Sequence, residues 1–148
     1  MKKRLFISIM ALILSVNLMS VELGLIGGKM TNPSEFTYGL SGGSGLFFPL
    51  LKMEIEFTPL TESDANVLTA SLKIRPKFGK FAPFAAVGAG VQFEKLNFDF
   101  GEYEFFTSIG GGLHMYFGGL FSIRLDVRFQ NFSDRNRIRF GVGAFFHI

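Results

Sequence analysis

From Phe121 to Phe129 the chain alternates without interruption. Phe121, Ile123, Leu125, Val127 and Phe129 are bulky and apolar, while Ser122, Arg124, Asp126 and Arg128 between them are polar. Successive side chains of a strand point to opposite faces, so this pattern predicts a β-strand with one apolar and one charged face. The same two-residue period recurs through residues 21–148, and no stretch there keeps an apolar period of 3.6 residues. Alternation and turn signals together predict eight strands, at residues 21–30, 38–48, 52–58, 67–75, 83–97, 103–117, 120–132 and 137–148. The connections after the second, fourth and sixth strands carry Pro or Gly and read as tight turns; the others read as longer and more polar. That alternation predicts an up-and-down barrel with turns at one end, loops at the other and both termini at the turn end.

Each strand sorts into two faces. One collects Met53, Ile55 and Phe57; Leu68, Leu72 and Ile74; Val87, Val91 and Phe93; Ile109, Leu113 and Met115; and Ile138, Phe140, Val142, Phe146 and Ile148. The other carries Glu22, Lys52, Glu54, Glu56, Lys73, Arg75, Glu94, Glu104, Arg124, Asp126, Arg128, Arg137 and Arg139. A soluble barrel would bury the first face, since eight strands can enclose a small ligand. A membrane barrel would turn it outward.

Three features favour the membrane barrel. Gly88, Gly90, Gly110, Gly112, Gly141 and Gly143 share the charged face. There they make room for Arg and Lys side chains converging on a narrow lumen, whereas a solvent-facing wall has less use for residues that weaken strands. The aromatics gather at the strand ends as two expected interfacial girdles. Near the tight turns and the C-terminus these are Phe47, Phe48, Phe78, Phe81, Phe84, Tyr116, Phe117, Phe121, Phe145 and Phe146. Near the loops they are Tyr38, Phe57, Phe98, Phe100, Tyr103, Phe105, Phe106, Phe129 and Phe132. Finally, the charged face is nearly balanced, with six acids against seven bases, as a packed interior requires. The expectation is an all-β chain forming an eight-stranded antiparallel up-and-down transmembrane β-barrel, its polar lumen filled by a structural network of those charged side chains.

Composition changes the picture in two places. The formal charge of +3 invites an anionic partner, but Lys2, Lys3 and Arg4 account for it. Without residues 1–20 the chain holds 12 basic and 12 acidic residues, which argues against nucleic-acid binding. Residues 1–20, MKKRLFISIMALILSVNLMS, have the basic start and apolar core of a cleaved secretory signal peptide. This leaves residues 21–148 as the barrel domain. The absence of Cys rules out disulfides, thiolate metal sites and a cysteine nucleophile.

Three segments resemble the small outer-membrane β-barrel proteins, the group that includes OmpA-type transmembrane domains and OmpX-like proteins. KFAPFAAVGAGVQF is similar to their glycine-rich strand after a periplasmic turn. SIGGGLHMYFGGLFSIRLDVRF is similar to their glycine-rich strand, short turn and alternating basic strand. GAFFHI resembles the C-terminal signal read by the barrel-insertion machinery, with Gly143, Phe146 and Ile148 in its frame. Val142 and the terminal Ile depart from the commoner residues of that signal. The resemblance implies residence in the bacterial outer membrane with both termini periplasmic. It also implies contact with outer-membrane lipids, recognition of the C-terminal strand by the insertion machinery and a monomeric state.

Candidate chemistry is sparse. His114 and His147 are the two histidines, both on the charged face near the turn end, with Ser122 on the strand between them. A catalytic site opening at that end competes with a simpler reading, in which they cap the polar network. Glu54/Glu56 and Lys73/Arg75 read as salt bridges between the third and fourth strands rather than as paired catalytic carboxylates. No metal-ligand spacing or phosphate loop is present, and no cofactor is expected. The expected role is structural or envelope-interacting and non-catalytic; the alternatives are a narrow or gated channel and a periplasmic lipocalin-like lipid-binding barrel.

Overall fold

The computed structural model describes residues 20–46, 50–94 and 103–148. Eight strands follow one another: β1 (Val21–Met30), β2 (Glu35–Gly45), β3 (Leu51–Pro59), β4 (Ala65–Ile74), β5 (Phe81–Glu94), β6 (Tyr103–Phe117), β7 (Phe121–Phe132) and β8 (Asn136–His147). Each pairs antiparallel with the next, and β8 returns to β1, closing the barrel without a free edge. The seam is in register from Glu22↔His147 to Met30↔Arg139. The second strand begins at Glu35 rather than residue 38 and ends at Gly45 rather than residue 48. Residues 1–19 of the expected signal peptide, together with Phe47, Phe48, Phe98 and Phe100, lie outside the described residues.

The expected contrast between short turns and long loops is not what separates the two ends. Residues 31–34, 60–64 and 133–135 connect strands at one end; 46–50, 75–80 and 118–120 do so at the other. Those lengths overlap. The remaining connection, 95–102, lies outside the described residues. With an even number of strands, both ends of the barrel sequence fall on the side of the 75–80 and 118–120 turns. Gly118 takes a φ of 76° in the second of these, a left-handed conformation open to glycine without a Cβ penalty.

The faces follow the alternation. Leu25, Ile55, Leu72, Val87, Ile109, Leu125, Phe140 and Val142 are exposed on the outside. Glu54, Glu56, Lys73, Arg124, Asp126, Arg128 and Arg139 are buried inside. This inverts the rule for soluble proteins, in which charged residues are almost never fully buried unless paired. It overturns the alternative of an apolar, ligand-holding interior.

The aromatic girdles are a partial correction. Phe78, Phe81, Phe117 and Phe146 face outward at the turn end, as do Tyr38, Phe105 and Phe129 at the loop end. Phe84, Phe106, Phe132 and Phe145 instead point into the lumen and are buried. Glycines on the paired neighbouring strands make room for three of them, Phe84, Phe106 and Phe145. A Cβ at Gly24 would lie 2.4 Å from the Phe145 ring, and one at Gly90 would lie 2.3 Å from Phe106. The lumen is consequently layered. Met30, Leu60, Ala65, Val67, Phe106 and Phe132 form an apolar cluster at the loop end, with Phe106 and Phe132 stacked at 4.7 Å between centroids. Charged side chains fill the middle, and Phe84 and Phe145 lie between them and a polar ring at the turn end.

Gly24→Ala is expected to lower the unfolding free energy by about 1–3 kcal/mol through overpacking against Phe145. The double variant Gly24→Ala/Phe145→Leu should recover part of that loss, as read by circular dichroism during thermal unfolding in detergent. Additive losses would show that the ring does not occupy the glycine's space.

Candidate functional site

Adjacent strands supply the site's ladder, but the ion pairs cross the lumen. Glu54 and Glu56 alternate inward on β3. Arg124, Asp126 and Arg128 do so on β7, four strands away and on the opposite wall of the barrel. Arg124 is 1% exposed. Its guanidinium donates to Glu54 Oε2 at 2.6 Å and Glu56 Oε1 at 2.7 Å, and Asp126 Oδ2 lies 3.2 Å away. Such two-point contact suits the planar guanidinium fork.

Glu54 is the hub. Its Oε2 also accepts from Lys73 Nζ at 2.5 Å and Ser41 Oγ at 2.9 Å, while its Oε1 accepts from Arg128 Nη2 at 3.2 Å. Arg139 on β8 completes the cluster, with Nη1 2.7 Å from Glu56 Oε2 and Nη2 3.4 Å from Asp126 Oδ2. Lys73, Arg124, Arg128 and Arg139 thus surround Glu54, Glu56 and Asp126, leaving one positive charge in excess.

The expected bridging between neighbouring strands β3 and β4 holds for Lys73 with Glu54 and fails for the other pair. Register places Ser71 opposite Glu54 and Thr69 opposite Glu56, so Arg75 sits beyond reach at the turn end. There it meets Glu22 of β1, with Nη2 2.8 Å from Oε2.

Arg75 opens a ring of hydrogen bonds. Its Nη1 lies 3.2 Å from His114 Nε2. An arginine only donates, so that nitrogen accepts and the proton of His114 sits on Nδ1, directed to Ser122 Oγ at 3.2 Å. Ser122 in turn donates to His147 Nε2 at 2.7 Å, and His147 Nδ1 faces Glu22 Oε2 at 3.4 Å. The ring closes there, joining β1, β6, β7 and β8 to the first residue of the β4–β5 turn.

The order Ser122, His147, Glu22 is that of a serine nucleophile with its base and orienting acid. Around it, the hydroxyl and the neighbouring backbone groups are already engaged. Ser122 is 0% exposed, and its hydroxyl is engaged by His114 as well as His147. The nearby backbone N–H groups of Tyr116 and His147 are held by the carbonyls of Lys80 and Leu120, so they are not free to hold an oxyanion.

Four of the sequence-predicted charges stand apart from both clusters. Lys52 lies at the turn-end rim, its Nζ donating to Ser20 Oγ at 2.5 Å. Glu94 is exposed. Glu104, also exposed, pairs with Arg135 in the β7–β8 loop, and this hydrogen bond raises the Arg135 guanidinium above its ordinary pKa. Arg137 is buried but uses neutral acceptors, Gln92 Oε1 at 2.6 Å and the Asn32 carbonyl at 3.1 Å. These residues share the lumen face, yet they lie at strand ends, where solvent or the connecting segments replace the facing wall. Sequence reasoning missed Glu35, buried at the loop end, whose carboxylate accepts from Ser63 Oγ at 2.8 Å and from the Glu62 and Ser63 N–H groups. Its proximity to Ser63 depends on how two connections fold, which alternation does not encode. Among the described residues, no group of three His, Asp or Glu side chains is placed to hold a metal ion.

No protein-family model matches the chain, and neither does the sequence of any curated protein. Solved structures share its fold. The N-terminal β-barrel domain of OprF from Pseudomonas aeruginosa superposes with a TM-score of 0.75 at 19% identity, covering 87% of this chain and 97% of that one. Neisserial surface protein A gives 0.67 at 9% identity, covering 86% and 95%. The outer membrane enzyme PagL gives 0.54 at 15% identity, covering 86% and 98%. The fold is that of the small eight-stranded outer-membrane barrels.

Arg124→Leu is expected to cost about 3–5 kcal/mol of unfolding free energy, because it strands buried carboxylates. Leu125→Ile, on the outer face, should cost less than about 1.5 kcal/mol. Urea titration in detergent followed by circular dichroism compares them, and equal midpoints would contradict the assigned faces. Ser122→Ala should cost about 1–3 kcal/mol by leaving two imidazole nitrogens unpaired, measured in the same titration.

Proposed function

We propose that the chain is exported to the bacterial outer membrane and serves there as a small structural or envelope-interacting barrel without catalytic activity. The observation that carries this reading is the pairing of an apolar outer wall with a lumen closed by buried ion pairs across its diameter. An apolar exterior suits hydrocarbon, in which a closed barrel satisfies every strand's backbone groups. A lumen filled by side chains leaves no room for a substrate or a wide aqueous path. In this reading residues 1–20 are the cleaved signal peptide, and both ends of the mature chain face the periplasm. Gly143, Phe146 and Ile148 of the last strand are read by the insertion machinery. Outer-membrane lipids cover the apolar wall, and the protein acts as a monomer.

The likeness to PagL means that the fold also hosts enzymes. The buried Ser122 and its occupied neighbours support the non-catalytic reading for this chain.

Fractionation of cells expressing the full chain tests the location, and electrophoresis of heated and unheated membrane samples tests the folded barrel. The expected outcome is an outer-membrane band whose mobility changes on heating, with no steady conductance when the purified protein is added to a planar bilayer. Recovery from the soluble periplasm would overturn the membrane reading. A reproducible conductance would replace the closed lumen by a narrow channel.

A further inference from the structure

Four buried side-chain atoms find no hydrogen-bond partner among the described residues: Asp126 Oδ1, Arg128 Nε, Gln130 Oε1 and Arg139 Nε. All four belong to β7 and β8, where Arg128 stands directly opposite Arg139. They are not spread at random through the lumen. Two of the residues, Asp126 and Arg139, line a common cavity of about 10 Å³ together with Thr37, Arg124 and Gly141. They already adjoin through Arg139 Nη2 and Asp126 Oδ2 at 3.4 Å. The two residues that line this small space thus carry one unused donor and one unused acceptor between them.

We propose that this cavity is a binding site for a single internal water, which accepts from Arg139 Nε–H and donates to Asp126 Oδ1. A buried water needs a cavity of about 10–15 Å³ and about two to four polar partners, and the site supplies both. Its chemistry selects water over an ion. A halide would answer the excess positive charge of the central cluster, but it cannot donate to a carboxylate oxygen and would be repelled by it. A metal cation would face the guanidinium groups of Arg124 and Arg139. Water alone of these serves both groups.

Gly141 lines the space and makes room for the Asp126 carboxylate, since a Cβ there would lie 2.4 Å from Asp126 Oδ1 and push it from its place beside the cavity. The plug is thus filled but not dry. This inference concerns the interior alone and holds whatever the barrel's role in the envelope.

Crystals of the folded wild-type protein grown with bromide as the halide test the site. The expected result is ordered density within hydrogen-bonding distance of both Asp126 Oδ1 and Arg139 Nε, with no anomalous bromide signal. An anomalous peak would make it a halide site and overturn the proposal. So would empty density, or a direct bond between Arg139 Nε and Asp126 Oδ1. In solution, the Hε proton of Arg139 should show a nuclear Overhauser effect to water, and Gly141→Ala should abolish it. Its persistence in that variant would also count against the site. The wild-type measurements stand by themselves if Gly141→Ala does not fold.

Discussion

The barrel depends on charges that meet across its diameter. Backbone ladders between neighbouring strands fix the local sheet, but they are indifferent to which face turns inward. Glu54 and Glu56 are not indifferent. Once buried, their carboxylates need cations, and Arg124 and Arg128 on the opposite wall supply most of them at 2.6–3.6 Å. That meeting requires the sheet to curl fully and requires β3 and β7 to project the same alternating set inward. Breaking such pairs is costly because the surviving partner stays buried. The outer wall imposes no comparable geometry, since one lipid-facing aliphatic side chain serves much as another.

Around this brace the interior is fitted by size as well as by charge. Glycines on the lumen face make room for Arg128 at Gly110 and Asp126 at Gly141, and they also seat the rings of Phe145 and Phe106. The rings take up what the charges cannot fill: Phe145 lies under the Arg124 guanidinium at 4.5 Å, and Phe84 under Lys73 Nζ at 4.7 Å. Cation–π contact of this kind compensates a buried cation without adding a carboxylate. A lumen carrying one more base than acid in its central cluster is packed in part by aromatic faces.

Strand number, pairing order and the two faces were legible in the sequence because each rests on the two-residue period, which lies in the chain itself. Partners were less legible. Arg75 was assigned to its neighbour β3 and instead reaches Glu22 of β1, since register shifts Glu54 and Glu56 away and curvature brings β1 near. Phe84 and Phe145 were read as lipid-facing because aromatic content near a strand end resembles a girdle on either face. Only strict parity within β5 and β8, taken over the pull of composition, would have turned them inward. The histidine–serine ring was visible as three residues on one face but not as a closed cycle, because Arg75 enters it from the β4–β5 turn and Glu22 from β1, both distant in sequence.

That cycle bears on the order in which the molecule can be completed. Seven of the eight strand pairings join segments consecutive in the chain, so each can form as a local hairpin. The eighth, between β1 and β8, must wait for both ends, and Glu22 and His147 face one another across it. Until they meet, His147 and Arg75 both lack the Glu22 carboxylate. The polar groups at this end then remain hydrated in an open sheet. Zipping the seam supplies the missing partners in one event, so the last pairing in sequence is also the one that turns a curved hairpin array into a closed vessel. A seam slipped by two residues would keep its backbone ladder and lose the cycle, which makes five side chains the barrel's own check on its closure.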